Sequence, residues 1–210
     1  RAKIGFVGHR LRQKLNKDFG DEIRRRRTAF AAYRTASFHL SPRFESFQEL
    51  GEWTRGLDAV VVGSDQLWLP VNIAGRYYTL DFVEQPCRKV SYATSFGVSE
   101  LPERYMREVA RFLPTFSAVS VREDTGAAIA EAATGVRPQV VCDPTMLLSR
   151  EEWTSVASTS LVPDEPYAFC YFLGKNVWQR ECARREADRR GLKLVAIAHP
   201  DEYVRYDDAY

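Results

Sequence analysis

Apolar residues near the start of the chain recur at a helical interval: Leu11, Leu15, Phe19, Ile23 and Phe30 lie mostly four apart, with Arg and Lys between them. That spacing stacks them along one side and predicts a long amphipathic helix over residues 9–33, with Gly20 the point where it could break. After a loop around Ser41 and Pro42, Ser46 followed three residues later by Glu49 is the signature of a capped helix start, and the stretch ends near Gly56. The pattern then changes. Residues 57–63 are almost continuously apolar and end in Gly, which predicts a short strand covered on both faces. Residues 89–95, 116–121 and 138–142 repeat this short β-branched character, with helical patterns over 102–112 and 124–133 between them. Strands alternating with helices predict an α/β fold, a parallel Rossmann-like sheet flanked by helices.

Ser149 with Glu152 opens a further capped helix. Residues 162–166 hold two prolines and two acids and read as an interdomain linker. Beyond them, 167–174, 177–190 and 192–198 form one strand, helix, strand unit. The expected organisation is therefore an N-terminal Rossmann-like domain over 1–161, a linker over 162–166, and the start of a second domain over 167–210. That last stretch holds too little apolar area to bury both faces of its own sheet and is expected to be incomplete.

Composition narrows the class without naming a partner. The chain is 45% hydrophobic and 12% aromatic, enough to build a core and contrary to disorder. Thirty basic residues against twenty-eight acidic ones leave a net charge of +2, far from the surplus of a dedicated nucleic-acid binder. Cys87, Cys142, Cys170 and Cys182 are far apart with no neighbouring histidine, so no metal or redox motif is predicted and a reduced cytosolic setting fits. His9, His39 and His199 are likewise scattered. No apolar run approaches the roughly 18 residues of a membrane-spanning helix.

In open parallel sheets, ligands bind beyond the carboxyl ends of the strands. The polar clusters fall there. Gly63, Ser64, Asp65 and Gln66 follow the first predicted strand, with Gly63 expected to permit a turn that a side chain would obstruct. Ser95, Phe96 and Gly97 follow the second, Arg122 and Glu123 the third, and Asp143, Pro144 and Thr145 the fourth. Hydroxyls, carboxylates and a guanidinium delivered to one edge suit an anionic small molecule, with Arg122 as the fork for phosphate or carboxylate. The competing reading is ordinary turn and cap chemistry at each tip.

The wording of these clusters carries a resemblance. Val60-Val61-Val62-Gly63-Ser64-Asp65-Gln66-Leu67-Trp68 resembles the GSDQxW signature of polysaccharide pyruvyl transferases. Ser91-Tyr92-Ala93-Thr94-Ser95-Phe96-Gly97 is similar to the family's YAxSFG segment, and Val119-Ser120-Val121-Arg122-Glu123 to its SVRE segment. Asp143-Pro144-Thr145-Met146-Leu147-Leu148 resembles DPTxLL and is followed, as in the family, by a tryptophan, Trp153. The motifs stand in the family's order and cover about residues 30–174. The resemblance implies a GT-B-like two-domain arrangement with the second domain incomplete and the substrates meeting between domains. Family chains open with a strand and a small-residue loop and carry a second-domain Ser and His motif; residues 1–210 contain neither, so this stretch alone is expected to be inactive. The resemblance also implies phosphoenolpyruvate as donor substrate with no other cofactor, and a saccharide acceptor, free or lipid-linked. The product would be a pyruvate ketal in cell-surface or exopolysaccharide synthesis. The setting would be cytoplasmic, with at most peripheral membrane contact and no nucleic acid.

Ketal transfer needs cations for the donor's anionic groups and an acid and base in reach. Arg122 is the candidate for the donor, against the reading that it merely pairs with Glu123 or Asp124. Asp65 is the candidate for orienting or deprotonating the acceptor hydroxyl, against the reading that it caps the next segment. Ser64, Gln66, Ser95, Gly97 and Glu123 are the candidate substrate-binding neighbours. Trp68 fits a core tryptophan better than a sugar platform, Asp143 with Pro144 fits a turn better than a substrate contact, and the Arg24 to Arg27 run fits a solvated helix face. The same frame also hosts sugar-nucleotide-dependent glycosyltransferases and non-catalytic binding domains, because fold does not fix chemistry.

Overall fold

Valine-rich runs form the frame. Strands β1 (Ala59–Val62), β2 (Arg88–Thr94), β3 (Ala118–Val121) and β4 (Gln139–Val140) pair side by side in that order, every pair parallel. The computed structural model in which they are seen describes residues 17–160, 162–172 and 176–197. Its helices are α1 (Lys17–Ser37), α2 (Phe47–Thr54), α3 (Pro70–Gly75), α4 (Glu103–Phe112), α5 (Asp124–Thr134), α6 (Arg150–Val156) and α7 (Val177–Arg190). The chain divides into two units, one of Pro42–Ala157 and one of the segments on either side of it.

The first unit holds the four-stranded sheet, and its burial is one-sided. The strands follow in sequential order, and crossovers that all share one hand, as parallel connections almost always do, send their helices to the same face. The register sets Val62 opposite Ser91 and Ser91 opposite Val119, and that face carries the core with Val62 and Val121 buried. Val61, one residue out of phase, is 59% exposed. The expectation that residues 57–63 are covered on both faces is therefore wrong. A run of valines looks the same whether one face or both are buried, and only the sequential strand order decides it.

Trp68 is the centre of the core. It is fully buried, its ring centroid lies 5.2 Å from Phe96 and 5.5 Å from Phe112, and its Nε1–H donates to the Tyr78 carbonyl at 3.0 Å. Helix α4 contributes Val109 and Phe112, while α5 presents Gly126, Ala127, Ile129 and Ala130, residues mostly small enough for close approach. A Cβ on Gly126 would already lie 3.4 Å from Phe96.

The predicted caps are present. Ser149 and Glu152 form the reciprocal capping box of α6. At α2, Ser46 Oγ accepts from the Glu49 N–H at 3.2 Å, but the Glu49 carboxylate reaches back to the Glu45 N–H at 2.9 Å. Helix α3 has no counterpart in the predicted elements.

Between β2 and β3 the ladder is broken by a bulge that aims the strand ends. Ser91 pairs with Val119 and Thr94 with Val121, so two residues of β2 face one of β3, and Ala93 sits at φ +52°. Two hydroxyls replace the lost ladder bonds. Ser91 Oγ donates to the Ser120 carbonyl at 3.2 Å, and Ser120 Oγ accepts the Ala93 N–H and donates to the Ser91 carbonyl, both at 3.1 Å. Bulges of this kind recur next to functional sites.

In the second unit, β5 (Tyr167–Cys170) and β6 (Lys193–Ala196) pair in parallel around α7. Helix α1 passes through Gly20 without a break and runs to Ser37. Of the apolar residues whose spacing predicts it, Ile23 is half-buried and Phe30 is 62% exposed. Leu11, Leu15, the side chain of Phe19, the strand end over 173–174, His9 and His199 lie outside the described residues. Among the described residues no helix is long and apolar enough to cross a membrane.

Candidate functional site

Parallel pairing sends the carboxyl ends of β1 to β4 to one edge, and there residues far apart in sequence meet. Ser64, just after β1, donates its hydroxyl hydrogen to Asp143 Oδ2, beyond β4, at 2.5 Å. Arg122, the residue after β3, donates from Nη1 to the same oxygen at 3.1 Å and to Ser64 Oγ at 3.4 Å. Its Nε donates to Glu123 Oε1 at 3.1 Å. The pairing with Glu123 is thus real, and so is the reach across the strand tips. Nη2 donates no hydrogen bond among the described residues, which leaves one edge of the guanidinium uncommitted.

Asp143 is held at both oxygens. Oδ1 accepts the Thr145 N–H at 3.0 Å and its hydroxyl at 2.7 Å, which fixes the turn Pro144–Met146, and the Thr145 carbonyl accepts Trp153 Nε1–H at 3.0 Å. The Ser64 hydroxyl, then the Thr145 amide and hydroxyl, with Arg122 adding, hold the Asp143 carboxyl well below the usual carboxylate range. The bond to Asp143 raises the Arg122 guanidinium, partial burial opposes this, and Glu123 adds to it. Tyr92, in β2, joins the same edge: burial pushes its phenol up, and Cys142 and Asp143 push it further.

The remaining predicted residues divide. Asp65 adopts φ +80°, a conformation that Asp tolerates better than most residues. Its carbonyl accepts the Leu67 N–H at 2.7 Å and the Ser95 N–H at 2.9 Å. Its side chain is exposed and makes no hydrogen bond or ion pair among the described residues, so it does not cap the next segment. Gly63 does not have the expected role, since a Cβ there would meet nothing within 4 Å and its φ is not left-handed; the unusual backbone is taken by Asp65 instead. Ser95 is buried, and its Oγ accepts the Gly97 N–H at 2.9 Å. Gly97 needs to be glycine: at φ +66° a Cβ would lie 2.9 Å from Leu69 and 3.0 Å from Gln66. Gln66 is thereby packed over Gly97, with its carbonyl accepting from Asn72 Nδ2 at 3.2 Å. No group of three or more His, Cys, Asp or Glu among the described residues is placed to hold a metal ion.

The family model described as polysaccharide pyruvyl transferase matches residues 7–209, nearly the whole chain. The chain belongs to the polysaccharide pyruvyl transferase family. No curated protein and no solved structure matches it. Membership indicates polysaccharide pyruvyl transferase activity in general terms and implies a saccharide acceptor. In this chain the four quoted motifs lie at or beside the strand tips: GSDQ supplies Ser64, SVRE supplies Arg122 and Glu123, DPT supplies Asp143, and the YAxSFG-like run supplies Tyr92 and the Ser95–Gly97 bond.

On sequence alone Asp143 reads as a turn residue. It is one, through Oδ1, and it is also the junction of the cluster through Oδ2. The available signal was an acid at one strand tip of a sheet whose other tips carry a hydroxyl and a guanidinium.

Proposed function

We propose that the full protein transfers a pyruvyl group from phosphoenolpyruvate to a saccharide, free or lipid-linked, forming a pyruvate ketal and releasing phosphate. One observation carries this reading: Arg122 is fixed at Nε and Nη1 by groups from three loops while Nη2 stays uncommitted, a charged donor ready for a carboxylate or phosphate oxygen. Glu123 and Asp143 flank the guanidinium, so it acts as an oriented donor rather than as part of a positive patch. In the reaction, the donor's methylene carbon gains one proton and the departing phosphate another, matching the two that the sugar hydroxyls release, and the carbon next to the methylene becomes cationic. One sugar hydroxyl attacks it, phosphate leaves, and a second hydroxyl closes the ring. Arg122 holds an anionic group of the donor through these steps, and the exposed Asp65 carboxylate takes the proton of the attacking hydroxyl. Ser64 and Glu123 brace Arg122, while Gln66, Ser95 and Gly97 shape the turn that presents Asp65. The product belongs to cell-surface polysaccharide synthesis in the cytoplasm.

The test is phosphate release from phosphoenolpyruvate by the full protein across a panel of free and lipid-linked saccharides. Release should depend on the acceptor, and Arg122→Ala should lower kcat/KM on the order of 100-fold. Turnover with a sugar nucleotide in place of phosphoenolpyruvate would contradict the reading.

A further inference from the structure

We infer that Asp143 is a positioning residue that holds the Arg122 guanidinium in the orientation that meets the donor's anion; this rests on the reading of Arg122 as that anion's partner. An arginine side chain has several soft torsions, so an unbraced guanidinium spends much of its time misdirected. Here two of its nitrogens are tied to different supports, Nε to Glu123 and Nη1 to Asp143 and Ser64. Two fixed nitrogens define the plane of the group, and hence the direction of Nη2. The Glu123 support comes from the next residue of the same chain segment and moves with it. Asp143 and Ser64 are the supports that come from other strands, and of these Asp143 is the charged and the closer one.

Asp143 is itself unable to swing. Two donors from Thr145 hold Oδ1, leaving Oδ2 for Arg122 and Ser64. The side chains of Arg122 and Asp143 are only 28% and 27% exposed, so water competes weakly for the bond between them. Through Ser64 the same oxygen also fixes the residue next to Asp65, which couples the braced cation to the tip carrying the proposed base. The commitment of all these donors explains why a carboxylate stands at this position. An amide there has one oxygen and one NH2, and whichever way it turns it presents a donor to donors.

The experiment is a mutant cycle on the full protein, reading the Kd for phosphoenolpyruvate and the KM for each substrate. Asp143→Asn alone should weaken donor binding on the order of 10-fold to 100-fold, the size of effect expected of a misplaced contact, with little change in the KM for the saccharide. In an Arg122→Ala background the same substitution should change donor binding less than about 2-fold, because a brace has no effect once the braced group is gone. An equal loss in both backgrounds overturns the inference, since Asp143 would then act independently of Arg122. Unchanged donor binding in Arg122→Ala itself overturns both the inference and the reading beneath it, and so separates the two failures. Thr145→Val, which keeps the N–H and the shape but removes one of the Oδ1 donors, provides a milder probe should Asp143→Asn fold poorly. Its smaller loss should also vanish with Arg122→Ala, and a loss that persists there counts against the brace.

Discussion

Asp143 serves a turn with one oxygen and the strand tips with the other, and this division has a consequence in acid. Its carboxyl titrates well below its unfolded value of about 4, so the stabilisation from its bonds is fully present above that value. It is lost as pH falls through the lower, folded value, because the unfolded chain then takes up the proton first. The urea midpoint of the protein should therefore fall between about pH 5 and the acid limit, as expected for a carboxyl that titrates near 4 when unfolded. Asp143→Asn should flatten that part of the fall, so that the gap between the two proteins narrows as pH is lowered. A gap that stays constant from neutral pH into acid would mean that the carboxylate charge contributes nothing to folding.

The sheet shows which of its elements could be read in advance. Helices α4 and α5, the caps at Ser46 and Ser149, and the parallel alternation of strand and helix follow from local chemistry: apolar spacing, a hydroxyl before a helix, β-branched runs. The side of the sheet that is buried does not, because it depends on strand order and crossover hand rather than on any one run. Nor does the bulge at Ala93, which is set by a hydroxyl exchange between Ser91 and Ser120, residues that look like ordinary strand polar positions. The site was legible as a set of tips and not as a junction, since the meeting of Ser64, Arg122 and Asp143 needs the register of strands far apart in sequence. The one-sided burial is testable by paired substitutions. Val61→Thr should change stability by less than about 0.5 kcal/mol, as at other exposed positions. Val62→Thr, which puts a hydroxyl into the core, should cost about 1–3 kcal/mol in urea unfolding. Equal costs at the two positions would mean that both faces are covered.

At the scale of the molecule, a parallel sheet flanked by helices gathers the four family motifs at one edge, and the family match across residues 7–209 gives that edge its chemical context. Arg122 reaches the cluster because β3 ends one residue before it, and the cluster closes because β4 delivers Asp143 on the far side. The most direct measurement is a crystal structure of the full protein with phosphoenolpyruvate bound. The account predicts a carboxylate or phosphate oxygen within hydrogen-bond distance of Arg122 Nη2, with Nη1 still donating to Asp143. A donor molecule bound elsewhere, or an Arg122 side chain turned away from Asp143 when the donor is in place, would contradict it.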